Sequence, residues 1–347
     1  METATRPVTQ RDVAKALGLT QATVSLALRG DPKIPHYRQV EIQKVAASMG
    51  YRPSSAASAL AQMRHTTQVR AQHGAIAWLN FWTDPAMLRH LDEFDQYYQG
   101  AAEAAEKFGF RLYEFSCGNG MRPQRLQSIL KARGIDGVLL PPHREARNMD
   151  GFDWNEFSII KFGHSLQTPV GHTVSSDQLF NGMLGFREMR KRGYRRIGFA
   201  MTANDYWLFD AGYIKAQLEV PPDERLPILY LEDGKLEQNK QALKRWLDEN
   251  QPDSIFSSSA EVPQLLSELG CRVPADIPVA VTSVLDGHAD AGINQNPREI
   301  GRVAVLQLLT LIHDNDRGPK ELYREILVKG SWVDGASLPY ARKRCSA

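Results

Sequence analysis

Apolar positions in the first fifty residues recur at helical spacing. Val13, Ala14 and Leu17 share one face of a first segment, and Val24, Ala27 and Leu28 share one face of a second. Val40, Ile42, Val45, Ala46 and Met49 line a third, from His36 to Met49, which Gly50 stops. From about His73 the rhythm changes to short apolar runs alternating with helical stretches. Strands are expected at Ala75–Leu79, Arg111–Phe115, Gly137–Leu140, Ser158–Phe162, Arg196–Ala200, Leu226–Leu231, Ser254–Phe256 and Val279–Val281. Helices are expected at Phe94–Phe108, Pro123–Ala132 and Leu179–Lys191. Such alternation predicts parallel α/β units behind a small all-α domain.

The polar residues between the first two helices sharpen the picture. Thr9 stands where a helix cap belongs, with Asp12 at the acidic position of a capping box. Gly18 ends that helix where positive φ is cheap, and Thr20 caps the next. Two helices cross tightly when a small residue sits at the contact, the turn tolerates positive φ and a branched residue closes the far side. Ala14, Gly18 and Val24 fill those posts, which predicts a helix-turn-helix. The outward face of the second helix carries Gln21, Ala22, Ser25, Leu26 and Arg29. Glutamine can be bidentate to adenine, and alanine or leucine can meet a thymine methyl. Thr9, Thr23 and Ser25 are short polar groups suited to phosphate oxygens.

Beyond Gly50 runs Tyr51-Arg52-Pro53-Ser54-Ser55-Ala56-Ala57-Ser58-Ala59-Leu60. Ser54 can cap a thin alanine-rich helix too short to be stable alone in water. On DNA, paired with its twin from a second subunit, it would push Leu60 between base steps and kink the duplex. A flexible linker is the plainer alternative.

Val-Thr-x-x-Asp-Val-Ala, the turn, Thr-Val-Ser, Gly-Tyr-x-Pro and the Ala-x-x-Leu hinge together resemble the lactose/galactose repressor family of transcriptional regulators. The match is dense over Val8–Leu60 and looser to about Val333. The resemblance assigns base reading to Gln21, Ala22 and Leu26, and intercalation to Leu60. It assigns backbone contacts to Thr9, Thr20, Thr23, Ser25 and Tyr51. Leu26 and Ser58 depart from the polar or basic residues that many members carry, so no relative's operator transfers to this chain. The family also implies two Rossmann-like lobes of the periplasmic-binding-protein type. Three crossings between lobes are expected near Thr168–Ser175, Gly292–Gln295 and Leu322–Arg324, with a ligand in the cleft beyond the strand ends. The expected organisation is then a DNA-binding domain over 1–52, and a hinge helix and linker over 53–71. An effector-binding and dimerisation domain over 72–340 and a tail over 341–347 complete it. Within the large domain, the N-lobe takes 72–170 and 296–322, and the C-lobe 171–292 and 323–340.

Charge agrees once it is divided. The 347 residues carry a net +2, but residues 1–70 hold ten Lys/Arg against four Asp/Glu, while the remainder holds 32 against 36. The basic end is therefore the DNA end. Cys117, Cys271 and Cys345 form no disulfide framework. The absence of an apolar leader or a membrane-length run leads us to expect a cytoplasmic protein with no membrane partner.

The cleft is harder to read. The Gly-Tyr-Arg-Arg-Ile-Gly run (193–198) and Ile293-Asn294-Gln295-Asn296-Pro297 match family landmarks. Asp177 matches an acidic post facing the cleft and equally suits an N-cap before Leu179. Phe209 stands where the family often has arginine, Ser259-Ala260 where an Asn-Asp pair is usual, and Ser283 where an aspartate is typical. Losing a guanidinium and acidic groups argues against a simple sugar held in the usual way. Trp82, Trp207 and Phe209 remain, for stacking on a sugar ring or flat ligand or for ordinary packing. No nucleophile elbow, phosphate loop, His-Glu-x-x-His or Cys-x-x-Cys pair appears, so no enzyme, cofactor or metal is expected. His143, His164 and His172 fit no ligand spacing. The expected function is a homodimeric regulator, in the main a repressor, binding a palindromic double-stranded DNA operator with affinity set by a small-molecule effector. An effector-independent regulator with a degenerate cleft and a solute-binding protein are the alternatives.

Overall fold

The computed structural model describes residues 8–28, 34–49, 74–118, 120–143, 149–203 and 208–341, leaving aside the side chains of Arg11 and Ala22. The chain divides into two compact units between Gln72 and His73.

The first unit holds α1 (Gln10–Leu17), α2 (Gln21–Leu28) and α3 (His36–Ser48). Val13, Ala14, Val24, Ala27, Ile42 and Ala46 form its core, with Val8, Leu17, Leu19, Leu28, Ile34 and Met49 packed around them. Val40 and Val45, expected inward, are half-buried and stand outside that cluster.

The second unit contains two six-stranded sheets. Its first half runs β1 (Gly74–Asn80), α4 (Pro85–His90), α5 (Asp92–Lys107), β2 (Phe110–Ser116), α6 (Pro123–Ala132), β3 (Ile135–Leu140), β4 (Ser158–Phe162) and β5 (Thr173–Ser176). The second half runs α7 (Gln178–Lys191), β6 (Ile197–Thr202), α8 (Phe209–Gln217), β7 (Leu229–Leu231), α9 (Leu236–Asn250), β8 (Ser254–Ser257), α10 (Val262–Glu268), β9 (Val279–Val281) and β10 (Gly292–Asn294). The chain then returns through α11 (Pro297–His313) and β11 (Glu325–Val328) before β12 (Ser331–Val333).

Strand order is β11-β5-β4-β3-β1-β2 in the N-lobe and β12-β10-β9-β8-β6-β7 in the C-lobe. All pairings are parallel except β10 with β12, where Ile293 faces Trp332. In the N-lobe Trp78 is fully buried, with its ring edge-on to Tyr98 at 5.3 Å. Helices α5 and α11 approach so closely that a Cβ on Gly301 would lie 2.0 Å from the Tyr97 carbonyl oxygen. A Cβ on Gly100 would lie 2.0 Å from the Arg298 carbonyl oxygen. In the C-lobe, Gly185 lies against the Phe256 ring and Gly198 against Trp246.

This topology moves two of the three expected crossings. Thr173–Ser176 is an N-lobe strand, pairing Lys161↔Thr173 on one side and Glu325↔Thr173 through Val328↔Ser176 on the other. The first crossing therefore follows Ser176 rather than residue 170, and 171–176 belong to the N-lobe. β11 lies in the same sheet, so the third crossing falls between Val328 and Ser331, not near Leu322–Arg324. The physical reason is backbone pairing. Thr173, Ser175 and Ser176 are polar yet buried, and the ladder satisfies their main chain between two neighbours. The expected strand at 226–231 shortens to Leu229–Leu231 behind Pro227.

Candidate nucleic-acid interface and interlobe cleft

The turn of the first unit is built from its caps. The Asp12 carboxylate accepts hydrogen bonds from the Thr9 N–H at 2.8 Å and the Thr9 hydroxyl at 2.6 Å. Gly18 adopts φ 65°, and the Leu19 N–H then bonds the Ala14 carbonyl at 2.9 Å, closing α1 in a left-handed C-cap. The Thr20 hydroxyl accepts from the Thr23 N–H at 3.2 Å and pairs with the Thr23 hydroxyl at 2.9 Å. Thr9, Thr20 and Thr23 thus shape the helix starts, besides any contact they make outside the chain.

On α2, Val24 and Ala27 are fully buried, Gln21 is exposed, and Thr23, Ser25 and Leu26 are half-buried on the way out. The opposite of the core face is therefore short and polar or aliphatic, a surface without charge on which groove-reading groups can sit. Arg29, Tyr51, Ser54, Ala57, Leu60 and the side chain of Ala22, all expected at the DNA, lie outside the described residues, as does Trp207 of the cleft.

Around the cleft of the second unit, polar groups are largely committed to their own lobe. After β1, the half-buried Trp82 donates its indole N–H to the Pro142 carbonyl at 2.8 Å, which fixes its ring beside the end of β3. His143 accepts from the Phe81 N–H through Nε2 at 3.0 Å, while its backbone N–H donates to Ser165 Oγ at 3.1 Å. Nε2 is thus an acceptor, so a neutral imidazole there carries its proton on Nδ1. Asp177 caps α7, accepting from the Phe180 N–H at 3.0 Å. Ser259 is buried, with its N–H donating to Ser257 Oγ.

Phe209 requires a correction. It is 3% exposed and packs in the C-lobe core with Phe186, Tyr213 and Phe256, so it is no stacking platform for a ligand. The reason is local: a Cβ on Gly182 would sit 2.4 Å from the Phe209 carbonyl oxygen. The start of α8 is thus pressed onto α7, and Phe209 turns inward. His164 and His172 also go separate ways from His143. The His172 Nδ1 accepts from the Arg324 N–H at 2.9 Å, and burial, aided by Arg324, lowers its pKa. His164 stands 3.7 Å from Glu325. Among the described residues no group of three or more His, Cys, Asp or Glu could hold a metal ion.

Ser283 leads to the part of the cleft that the sequence analysis missed. It hydrogen-bonds Glu93, a buried carboxyl in the first turn of N-lobe helix α5. Gln295, leaving β10, donates to Glu93 Oε2 at 3.3 Å. Asp286, in the loop after β9, accepts from the backbone N–H groups of Asp92 at 2.9 Å and Glu93 at 3.1 Å. The two lobes are therefore in direct polar contact at the N-terminus of α5. Burial, then the neighbouring Asp286 carboxylate, pushes Glu93 up to about 7 against the opposing hydrogen bonds of Ser283 and Tyr97. Gln295 lies in a run the sequence singled out. Glu93 and Asp286 carried no signal beyond being two acids in loops and helix starts.

Comparison with known proteins places this geometry. Residues 186–338 match the model of the periplasmic binding protein-like domain family. The HTH-type transcriptional regulator MalR of Streptococcus pneumoniae serotype 4 is 21% identical over 341 residues, covering 92% of this chain and 98% of its own. The HTH-type transcriptional repressor PurR of Proteus mirabilis is 21% identical over 354 residues, covering 96% and 99%. Among solved structures, the lac repressor dimer bound to operator and the anti-inducer ONPF superposes with TM-score 0.54 at 18% identity, covering 96% of this chain and 100% of that one. Among the described residues no helix is long and apolar enough to cross a membrane. A capped helix-turn-helix followed by two crossed-over sheets, in one chain aligned over nearly its whole length with HTH-type transcriptional regulators, is the fold this protein shares with them, and its residues 186–338 carry the periplasmic binding protein-like domain.

Proposed function

We propose that the chain acts in the cytoplasm as a homodimeric repressor on a palindromic operator, with α2 entering the major groove. Gln21, Ala22 and Leu26 read the bases, with Arg29 on the same face. Thr9, Thr20, Thr23, Ser25 and Tyr51 meet the backbone, Ser54 and Ala57 build the hinge helix on the DNA, and Leu60 wedges the central step. One helix of eight residues touches too few bases for useful specificity, so a symmetric site read twice is needed. The observation that carries this reading is the uncharged outer face of α2 on a turn locked by Gly18 and Thr20. A small molecule between the lobes would alter their closure, move the two hinge segments and change operator affinity, with inducer and corepressor both allowed by linkage.

A second reading, an effector-independent regulator, is favoured by the cleft itself. Asp177 is spent on a cap, Phe209 on the core, and Trp82 and His143 on their own lobe. Selection of duplexes from a random pool by the full-length protein tests the first reading. It should yield a palindrome bound far more tightly than competitor, with affinity falling steeply with salt. An unenriched pool at moderate ionic strength refutes it. A thermal-shift screen of sugars, sugar phosphates and nucleobases separates the two readings.

A further inference from the structure

Asp286 and Glu93 tie the two lobes together through side chains of the protein itself. We propose that these contacts form a proton-linked latch, holding the effector domain closed while Glu93 carries a proton and releasing it when Glu93 ionises. The Asp286 carboxylate crosses from the C-lobe and takes two N–H groups at the first turn of α5, where the helix leaves its donors unsatisfied and favours negative charge. Glu93 lies directly beneath, sealed by Gln295 and Ser283 of the C-lobe and by Tyr97 one turn along its own helix.

Burial and the Asp286 carboxylate oppose ionisation of Glu93, and together they outweigh the Tyr97 hydroxyl, whose hydrogen bond favours it. Asp286 faces it from the loop after β9 and Tyr97 from α5, and the turn after β10 offers only the neutral Gln295. Ser283 and Tyr97 hydroxyls bond the carboxyl without neutralising it. In the closed form the group therefore keeps its proton up to about 7, against an ordinary 4.5 once the lobes part and water returns. A group raised in the closed state stabilises closure below its closed-state value and loses that contribution as pH rises through it. Between about pH 8.5 and about pH 6 the closed-to-open ratio should grow roughly tenfold.

The latch bears on regulation only if the regulator reading above is right, so the test measures closure itself. Nitroxide labels on the full-length protein at Arg125→Cys on α6 and Lys244→Cys on α9, with Cys271→Ser and Cys345→Ser, report the interlobe distance by pulsed EPR. Both label sites are exposed, and Cys117 is buried. The short-distance population should rise on acidification across neutrality. Glu93→Gln should hold it high at both pH values, and Asp286→Ala should lower it at both. A wild-type distribution unchanged between the two pH values, a Glu93→Gln protein that titrates like wild type, or an Asp286→Ala protein that stays closed would each overturn the latch. Operator binding measured on the same proteins is a separate readout. A latch that works while DNA affinity ignores pH counts against the regulator reading alone.

Discussion

Replacing Val24 by alanine attacks the helix-turn-helix at its centre. Val24 is fully buried where α2 meets α1 and α3, among Val13, Ala14, Ala27, Ile42 and Ala46. Those neighbours are mostly small, so the hole cannot be refilled by a long side chain swinging inward. Two lost methyl groups at about 0.8 kcal/mol each come to roughly 1.6 kcal/mol of transfer free energy. A residual cavity of about 40 Å³ adds about 1 kcal/mol. A folding unit of about fifty residues holds only about 2.5–7.5 kcal/mol in total. The substitution therefore removes a third or more of what keeps the reader folded. About 2.6 kcal/mol is a factor of roughly 80 in the opening equilibrium.

Amide hydrogen exchange of the full-length protein reads this directly. The Leu19 and Val24 amides, bonded to the Ala14 and Thr20 carbonyls, should lose protection by about that factor while the strands of the second unit do not change. Operator affinity should fall with it, because an unfolded reader binds nothing. Protection reduced less than about threefold would refute the three-helix core as drawn. So would equal loss in the second unit.

Other substitutions test separate parts. Phe209→Ala should cost about 3–5 kcal/mol in the second unit, seen in chemical denaturation, because Phe209 is core; a neutral outcome with a changed ligand response would restore it to the cleft. Gly301→Ala should destabilise the N-lobe by about 1–3 kcal/mol or more, since its Cβ meets backbone atoms that cannot swing away; an unchanged denaturation midpoint would contradict the close α5–α11 crossing. Thr20→Ala should cost about 1 kcal/mol of helix stability, with Thr20→Ser largely restoring it; unchanged exchange of the Thr23 amide would show that the cap contributes nothing. Leu60→Ala should reduce both operator affinity and DNA bending in a phased gel-shift assay; an unaltered bend removes the wedge.

Elements were legible where local chemistry and burial point the same way. Apolar runs such as Ile76–Leu79 and Val138–Leu140 lie in central strands buried on both faces, so the run itself is the signal. The capped turn was legible because Thr9, Asp12, Gly18 and Thr20 act on neighbours within five residues. β5 hid because Thr-Val-Ser-Ser looks like a loop, and only pairing with β4 on one side and with β11, far away in sequence, on the other makes it a strand. α11 escaped for the opposite reason. Over Val303–Leu309 five of seven residues are aliphatic, apart from Ala304 and Gln307, and periodicity alone cannot separate a buried helix from a buried strand there.

The cleft shows why sites resist the same treatment. Ser283 stands after β9 where an aspartate is typical, and in the sequence this reads as a loss of charge. The charge instead stands three residues on at Asp286, aimed at the other lobe's helix rather than at the space between. Glu93, its neighbour in space, is 193 residues away in sequence and looks like one more acid in a helical first turn. Neither residue can be ranked by type or spacing, because the property that matters, a buried Glu93 carboxyl beside the half-buried Asp286 carboxylate, exists only when the lobes close. If closure depends on protein groups meeting one another, an effector for this chain must either displace Asp286 from the α5 amides or tolerate it. An anionic ligand competes for the same donors, and a neutral one leaves them alone. The latch therefore predicts the charge dependence of any ligand that opens the domain.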